Sequence, residues 1–247
     1  MMEDTDHLAG LLAEAIATGG LVDKTNLVVP DVQGAYAVQA AILDKLGVSQ
    51  PQGYKFSLRD GQLFGAPLIF VESAREFAFA PGIRIEVELA MTLGQDLPPR
   101  GTPYTREEVQ AAVEKVAIGI ELVRSRYIDG AGDAYPLLLS DMMSNVGYVL
   151  GPELDRHVLD AGADLGGLTL TNGAIALFDG PAKHPDADPL AAVVACANRG
   201  LPTFNGGLLR KGQVVTTGTL SGAPYITAPS EVTAALGGAS LSITLKG

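Results

Sequence analysis

The hydrophobic pattern of the chain changes character near residue 53. Before that point, apolar residues recur at helical spacing over residues 5–18 and 32–46, and a glycine follows each stretch. A spacing of three to four is typical of amphipathic helices, and a glycine past the last turn often ends them. We therefore predict a helical segment over residues 1–52, with Asp31 as the N-cap of its second helix.

From residue 53 to residue 247 the pattern favours strands. Apolar and polar residues alternate most clearly over residues 84–93, as in a strand with one buried face. Further strands are predicted over residues 53–58, 116–123, 145–150, 168–178, 213–217 and 241–245, and helices over 106–116 and 188–199. Because strands and helices do not alternate regularly, we predict an α+β fold with a mixed β-sheet core and peripheral helices.

Composition narrows the range of partners. The 247-residue chain has a formal net charge of −11, which argues against nucleic acid and anionic membranes as partners. The same charge repels a small anionic substrate unless a bound metal or a buried lysine reverses the local field.

Two further features indicate a cytoplasmic protein. The single cysteine, Cys196, lies in an apolar stretch and is expected to be a buried helix residue, and it allows no disulfide within the chain. The N-terminus is acidic where a signal peptide is basic, and no apolar run approaches the ~18 residues of a membrane-spanning helix.

Two glutamates in the alternating stretch are the first chemical signal. Glu86 and Glu88 lie two residues apart in a predicted strand, so their side chains share one face. Adjacent carboxylates repel each other unless a cation lies between them, and hard oxygen ligands suit Mg²⁺ or Mn²⁺. The alternative is a solvated strand face that binds no metal.

A third glutamate strengthens the metal hypothesis. Glu121 lies within the apolar run 117–123, where an unpartnered carboxylate is costly to bury. It could complete a metal site with the first pair. A salt bridge to Arg124 or Arg126 is the rival interpretation.

These residues, in their order and spacing, resemble the fumarylacetoacetate hydrolase superfamily, and within it the branch of 2-oxopent-4-enoate hydratases and 4-oxalocrotonate decarboxylases. The resemblance covers nearly the whole length, through residues 35–39, 53–55, 86–88, 121–126, 140–151 and 218–219. It implies that residues 53–247 form a catalytic domain with the β-sandwich or roll of that family.

The resemblance also implies a set of functional residues. Glu86, Glu88 and Glu121 would hold Mg²⁺ or Mn²⁺, chelated in turn by the carboxylate and 2-oxo oxygen of a small 2-oxo acid. Lys55 would transfer protons with a lowered pKa or hold the substrate carboxylate as a cation. The residues implied at the substrate are Ser144, Gly218 and Thr219.

The implied reaction is that of a metal-dependent lyase. The first candidate is hydration of a 2-oxo-4-enoate to a 4-hydroxy-2-oxo acid, as in the meta-cleavage degradation of aromatic compounds. The alternative is decarboxylation of a 4-oxalocrotonate-type acid at the same metal site, for which Arg59 could supply a cation to the second carboxylate. A candidate from another class is a catalytically degenerate scaffold, and we also expect a homo-oligomer or a complex with a pathway neighbour.

The chain departs from the family pattern around its acid–base residue. The glycine and Thr-Ser that usually follow Lys55 are absent, and so is an acidic residue that usually follows the Phe-Gly here at 64–65. Asp60 is the candidate replacement, with Glu72 as a second possibility. Arg124 also stands where the family usually has aspartate, and Asp188 where it has histidine.

Histidine chemistry is not expected. His7, His157 and His184 lie in a terminal helix and in polar loops, so we predict surface positions for all three. Hydrolases of the superfamily use a histidine near the metal, and its lack argues against hydrolysis of a carbon–carbon bond.

Overall fold

The computed structural model describes residues 2–200 and 208–247. Its helices are α1 (Met2–Thr18), α2 (Val32–Lys45), α3 (Arg106–Ala112), α4 (Tyr135–Ser140) and α5 (Ala191–Arg199). Its strands are β1 (Gly53–Arg59), β2 (Gln62–Leu68), β3 (Val71–Glu72), β4 (Glu76–Ala78), β5 (Arg84–Leu93), β6 (Val113–Val123), β7 (Asn145–Glu153), β8 (Gly167–Asn172), β9 (Ile175–Pro181), β10 (Val214–Thr216), β11 (Ser230–Leu236) and β12 (Ala239–Lys246).

The strands form two mixed sheets. The larger has the order β2-β1-β10-β5-β6-β7-β3, and the smaller has the order β4-β12-β11-β8-β9. In the larger sheet β5, β6 and β7 are antiparallel neighbours, while β1 and β10 run parallel. This arrangement confirms the predicted α+β fold with a mixed β core.

The main hydrophobic core includes residues from both sheets. Ile85, Val87 and Leu89 of β5 are buried there with Leu241 and Ile243 of β12. Because side chains alternate along a strand, this packing turns the even-numbered residues of β5 to the other face of the larger sheet.

The N-terminal helices pack on a second core. Leu12 of α1 and Ile42 of α2 are buried together with Ala66, Tyr127 and Met142, which lie in the strand-rich part of the chain. The predicted N-cap of α2 is confirmed, since the Asp31 carboxylate accepts a hydrogen bond of 2.7 Å from the Gly34 amide. Within the described residues, no helix is both long and apolar enough to cross a membrane.

Several predicted elements have different bounds. Helix α3 ends at Ala112 rather than at 116, because the chain enters β6 at Val113. The single strand predicted over 168–178 is a hairpin, with a turn that includes Gly173 at φ 55°. The helix predicted from residue 188 begins at Ala191. The sequence pattern did not predict α4, β2, β3, β4 or β11.

Candidate active site

Neighbouring strands of the larger sheet bring acidic and basic side chains onto one face. In the register of β5 and β6, Glu86 lies directly opposite Glu121, and Glu88 lies two residues along β5. On the other side of β5, Lys55 of β1 is paired with Thr216 of β10. The site therefore draws on four adjacent strands, whose shared pleat points these side chains the same way.

The three glutamates converge closely. One carboxylate oxygen from each of Glu86, Glu88 and Glu121 lies within 4.8 Å of the others. Glu121 and Glu88 are buried, and the Glu86 side chain is 20% exposed. Among the described residues, no other group of at least three acidic, histidine or cysteine side chains meets in this way.

Lys55 supplies positive charge to this acidic group. Its ammonium lies 2.5 Å from Glu121 Oε1 and 3.7 Å from Glu86 Oε2, and the residue is buried. Burial lowers the pKa of Lys55, but the three carboxylates outweigh burial and raise it above its ordinary value. The lowered pKa expected of Lys55 beside a bound dication stays a prediction, since the neighbours of Lys55 in this structure are anions.

Ionisation of two of the carboxylates, Glu88 and Glu121, is less favourable than that of an ordinary glutamate. Burial raises the pKa of Glu88, and the charges of Glu121 and Glu86 raise it further. Burial also raises the pKa of Glu121, although Lys55 opposes this effect. Both shifts reflect excess negative charge in a buried place, which a divalent cation would relieve.

The donor set fits a divalent metal. Oε1 of Glu121 accepts hydrogen bonds from Lys55 and from Asn145, but the buried Oε2 has no hydrogen-bond partner among the described residues. Glu88 is oriented by a 2.6 Å hydrogen bond that its Oε2 accepts from the Thr216 hydroxyl. Three carboxylates with a buried, unpartnered oxygen suit a hard ion such as Mg²⁺ or Mn²⁺.

The alternative prediction for Glu121, a salt bridge to Arg124 or Arg126, is wrong. Arg126 forms a buried ion pair with Asp141 at 2.8 Å, and Arg124 donates to the carbonyls of Pro81 and Gly19. Glu121 is instead paired with Lys55, which lies 66 residues away in the chain.

A cavity of about 300 Å³ opens beside Lys55, Glu86 and Glu88. Part of its wall is apolar, formed by Phe56, Leu58, Val123, Leu138 and Met143. Two arginines, Arg59 and Arg84, also line it, and neither forms an ion pair with a carboxylate within the described chain. Each guanidinium lies over a tyrosine ring, Arg59 at 4.3 Å from the centroid of Tyr135 and Arg84 at 5.5 Å from that of Tyr225. A small organic acid therefore meets apolar walls and guanidinium groups without a carboxylate partner here.

Ser144 lies in a strained turn at the cavity. Met142, Met143 and Ser144 have φ angles of 50°, 51° and 62°, a left-handed conformation that costs non-glycine residues free energy. The Ser144 hydroxyl is buried, and no partner accepts its proton within the described chain. Ser144 therefore lies in the cavity wall with a hydroxyl that can donate a hydrogen bond to a ligand.

Gly218 and Thr219 also line the cavity. Gly218 has a φ of 137°, and a Cβ there would lie 2.6 Å from Pro185 Cγ, so glycine is needed for the packing of that loop. The Thr219 hydroxyl donates to the Gly222 carbonyl at 2.7 Å. The Thr219 oxygen also accepts a hydrogen bond of 3.3 Å from the Ser221 amide, so one acceptor position remains for a ligand.

The two acid–base candidates from the sequence do not line the cavity. Asp60 lies with Gly61 in the two-residue turn between β1 and β2, where both have positive φ, and it is exposed. Glu72 lies on the edge strand β3. The turn is a structural reason for an aspartate at position 60, because aspartate tolerates positive φ. The structure brings neither Asp60 nor Glu72 to the three glutamates.

Sequence reasoning missed two residues in the loop before α5. His184 is only 8% exposed, so the predicted surface position is wrong for this histidine, while His7 and His157 are exposed. Asp186 of the same loop lines the cavity. The loop is polar throughout its sequence, and this pattern is typical of solvent-exposed turns, so no local signal marks either residue.

Comparisons with known proteins agree with this geometry. No protein-family model matches the chain. A 4-oxalocrotonate decarboxylase from Pseudomonas sp is 31% identical over 161 residues, which make up 63% of this chain and 58% of that protein. The matched part thus spans less than two thirds of this relative.

Solved structures extend the likeness to the whole fold. The 4-oxalocrotonate decarboxylase from Pseudomonas putida G7, complexed with magnesium and adipate, superposes with a TM-score of 0.78 at 18% identity, covering 100% of this chain and 98% of that one. A Yersinia pestis CO92 protein assigned to the fumarylacetoacetate hydrolase family gives 0.53 at 15% identity, covering 78% of this chain and 91% of that one. The fold that the resemblance implies is confirmed, because this chain has the fold of the fumarylacetoacetate hydrolase family.

Proposed function

We propose that this chain is a metal-dependent lyase acting on a small 2-oxo acid, with hydration of a 2-oxo-4-enoate as the first candidate reaction. The observation that carries the proposal is the convergence of Glu86, Glu88 and Glu121 within 4.8 Å, beside a cavity whose wall includes Glu86 and Glu88. Support comes from the relative of the same fold that holds magnesium and a dicarboxylate.

The three glutamates would hold Mg²⁺ or Mn²⁺. When bound, the ion would act as a Lewis acid toward the oxygens of a 2-oxo acid. Thr216 and Asn145 hold the carboxylates of Glu88 and Glu121 in place, as outer-shell partners of a metal site commonly do.

The remaining residues of the cavity bind and orient the substrate. The Lys55 ammonium lies next to the glutamates and can attract a substrate carboxylate. The free Ser144 hydroxyl can donate a hydrogen bond to it. The apolar wall that includes Phe56 and Leu138 excludes water from the carbon chain and so strengthens these polar contacts.

Decarboxylation is a second candidate because of the arginines. A decarboxylase substrate of the 4-oxalocrotonate type has a second carboxylate at its far end, and Arg59 and Arg84 offer guanidinium groups without a carboxylate partner in the cavity wall. Guanidinium binds carboxylates in a bidentate manner. A hydratase substrate with one carboxylate has less need of them.

The proposal is tested by turnover in the presence of Mg²⁺ or Mn²⁺. The purified protein is incubated with 2-hydroxypenta-2,4-dienoate or with 4-oxalocrotonate, and loss of substrate absorbance and release of CO₂ are both followed. Hydration consumes the monocarboxylate without CO₂, whereas decarboxylation releases CO₂ from the dicarboxylate. No turnover of either substrate, together with no metal binding, would support the scaffold hypothesis.

Matched variants distinguish a loss of activity caused by the site residues from a general effect of removing a charge. Glu88→Gln should abolish turnover, while Glu231→Gln, on the exposed face of the smaller sheet, should retain it. If the enzyme is a decarboxylase, Arg59→Gln and Arg84→Gln should raise KM for the dicarboxylate about 10-fold or more, as expected for loss of a charged contact. The exposed Arg75→Gln is the control for charge.

A further inference from the structure

A short loop before α5 is anchored to the cavity by His184. The Asp186 amide donates to His184 Nδ1 at 3.2 Å, and His184 Nε2 lies 3.0 Å from the Thr217 hydroxyl. The Thr217 hydroxyl donates its own proton to the Pro189 carbonyl at 2.8 Å. His184 Nε2 must therefore be the donor to Thr217, so the imidazole is neutral, with its proton on Nε2.

Packing also holds this loop against Gly218, which lies just after the end of β10. Pro185 sits over Gly218, close enough that a methyl group on Gly218 would lie 2.6 Å from Pro185 Cγ. Both Pro185 and Asp186 line the cavity. Hydrogen bonds and packing thus hold Asp186 in the cavity wall.

Asp186 is the one carboxylate of the described lining that does not belong to the glutamate group. The other acidic residues that line the cavity are Glu86 and Glu88. Burial raises the pKa of Asp186, and the nearby Asp188 carboxylate raises it further. By contrast, Asp188 is paired with Arg106 at 2.9 Å and is not part of the lining.

We propose that Asp186 is the proton-transfer residue for the substrate carbon chain, and that His184 is its positioning residue. This inference rests on the proposed lyase function. It fills the place of the acidic residue that is absent after Phe64-Gly65, from a different part of the fold. A carboxylate that lines the same cavity but lies outside the glutamate group is available to the carbon chain without being one of the metal ligands.

For hydration, the 2-hydroxydienoate form of the substrate first ketonises, losing its hydroxyl proton and gaining a proton at carbon 5, which leaves a double bond between carbons 3 and 4. The Asp186 carboxylate then accepts a proton from water as the water oxygen bonds to carbon 4, and the π pair of that double bond shifts toward the 2-oxo group. The Asp186 carboxyl then returns that proton to carbon 3. Water is added overall, and Asp186 regains its initial state.

The test compares Asp186→Asn with Asp60→Asn, the same substitution at the other candidate. Asp186→Asn should lower kcat about 100-fold or more, the size expected for loss of a general acid–base group, with KM little changed. It should also remove the acidic limb of the kcat–pH profile. Asp60→Asn should retain the activity of the unsubstituted protein.

Two measurements independent of turnover accompany the test. The affinity for Mn²⁺, followed by electron paramagnetic resonance, should be unchanged in Asp186→Asn. In the metal-free protein, the carboxyl ¹³C resonance that this substitution removes should titrate above the ordinary value of 3.8. If Asp186→Asn does not fold, Asp186→Ser removes the carboxylate from the same position.

The outcomes distinguish this inference from the proposed function. Full activity in Asp186→Asn or Asp186→Ser would overturn the role of Asp186 and leave the lyase function standing. A protein that turns over neither substrate would overturn both. His184→Gln should lower kcat less than Asp186→Asn and shift its pH profile, and an unshifted profile would contradict the positioning role.

Discussion

One buried ion pair, Arg126 with Asp141, lies at the turn that contains Ser144. Arg126 and Asp141 are both buried, and the Arg126 amide and guanidinium both donate to the Asp141 carboxylate at 2.8 Å. The guanidinium also donates to the Asn145 carbonyl at 2.7 Å. This pair therefore holds the turn that contains Ser144 between two fixed points.

Removing one partner of this pair should destabilise the fold. Arg126→Met leaves the Asp141 carboxylate buried and uncompensated, which costs about 3–5 kcal/mol in free energy of unfolding. Chemical denaturation measures the loss. The control is Arg100→Met, which breaks the partly exposed pair with Glu108 and should cost about 1 kcal/mol or less. Equal losses in the two variants would show that the buried pair contributes no more than the exposed one.

At the scale of residues, strand alternation predicted the glutamate pair but not its partners. Glu86 and Glu88 follow from period-two alternation in one strand. The pairing of Lys55 with Glu121, and the burial of His184, depend on segments far apart in the chain. A single sequence contains no local pattern for such contacts. The residues of the site could therefore be predicted, but not their ion pairs, their burial or the resulting pKa shifts.

The loop of residues 182–190 is the element on which catalysis depends most in this account. Gly218 permits its approach through a φ of 137° and the lack of a side chain. Gly218→Ala should therefore displace Pro185 and Asp186, and should lower kcat along with thermal stability. The expected strain is about 1–3 kcal/mol.

Gly222→Ala is the matched control for this prediction. Gly222 also has positive φ, at 69°, but an added methyl group would meet open space there. It should cost some stability and leave kcat unchanged. If both variants retain full activity, the loop does not need its close packing on Gly218.

The buried His184 should make stability depend on pH. Burial lowers the pKa of His184 from 6.5 to about 4, and the Asp188 carboxylate opposes this only partly. Between these values the unfolded chain takes up a proton that the folded chain does not, so stability falls as pH drops from about 6.5 to about 4. The loss amounts to at most about 3 kcal/mol.

A comparison with His184→Gln isolates this effect. The variant lacks the imidazole. When the pH is lowered from about 7 to about 5, its melting temperature should therefore fall less than that of the unsubstituted protein. The other titrating groups are shared by the two proteins and cancel in the comparison. If the melting temperatures of the two proteins fell by the same amount over this range, His184 would take up its proton as readily in the folded state as in the unfolded chain.

At the scale of elements, the long periodic segments were predicted best. The bounds of β5 match the prediction because its alternation is uninterrupted, and the start of α2 matches because Asp31 caps it. The hairpin of β8 and β9 was predicted as one strand, although the dipeptide Asn172-Gly173 within it is typical of a hairpin turn. The strands β3 and β4 have only two and three residues, too few for any period to show.

Over the whole molecule, a bound divalent ion would give the site the opposite sign to the overall charge. The chain has a net charge of −11, and in the cavity lining Lys55, Arg59 and Arg84 stand against the acidic Glu86, Glu88 and Asp186. A divalent ion on the glutamates would make the local field positive and favour an anionic substrate. The expected homo-oligomer and the complex with a pathway neighbour stay predictions that sedimentation of the purified protein can test.

The account depends above all on whether Glu86, Glu88 and Glu121 bind one divalent ion. Titration of the purified protein with Mn²⁺, followed by electron paramagnetic resonance, measures this directly. We predict one site per chain, with affinity lowered at least about 100-fold in Glu88→Gln and Glu121→Gln, since even outer-shell partners of metal sites contribute about 10- to 100-fold. Absence of binding, or binding that neither substitution weakens, would contradict the account.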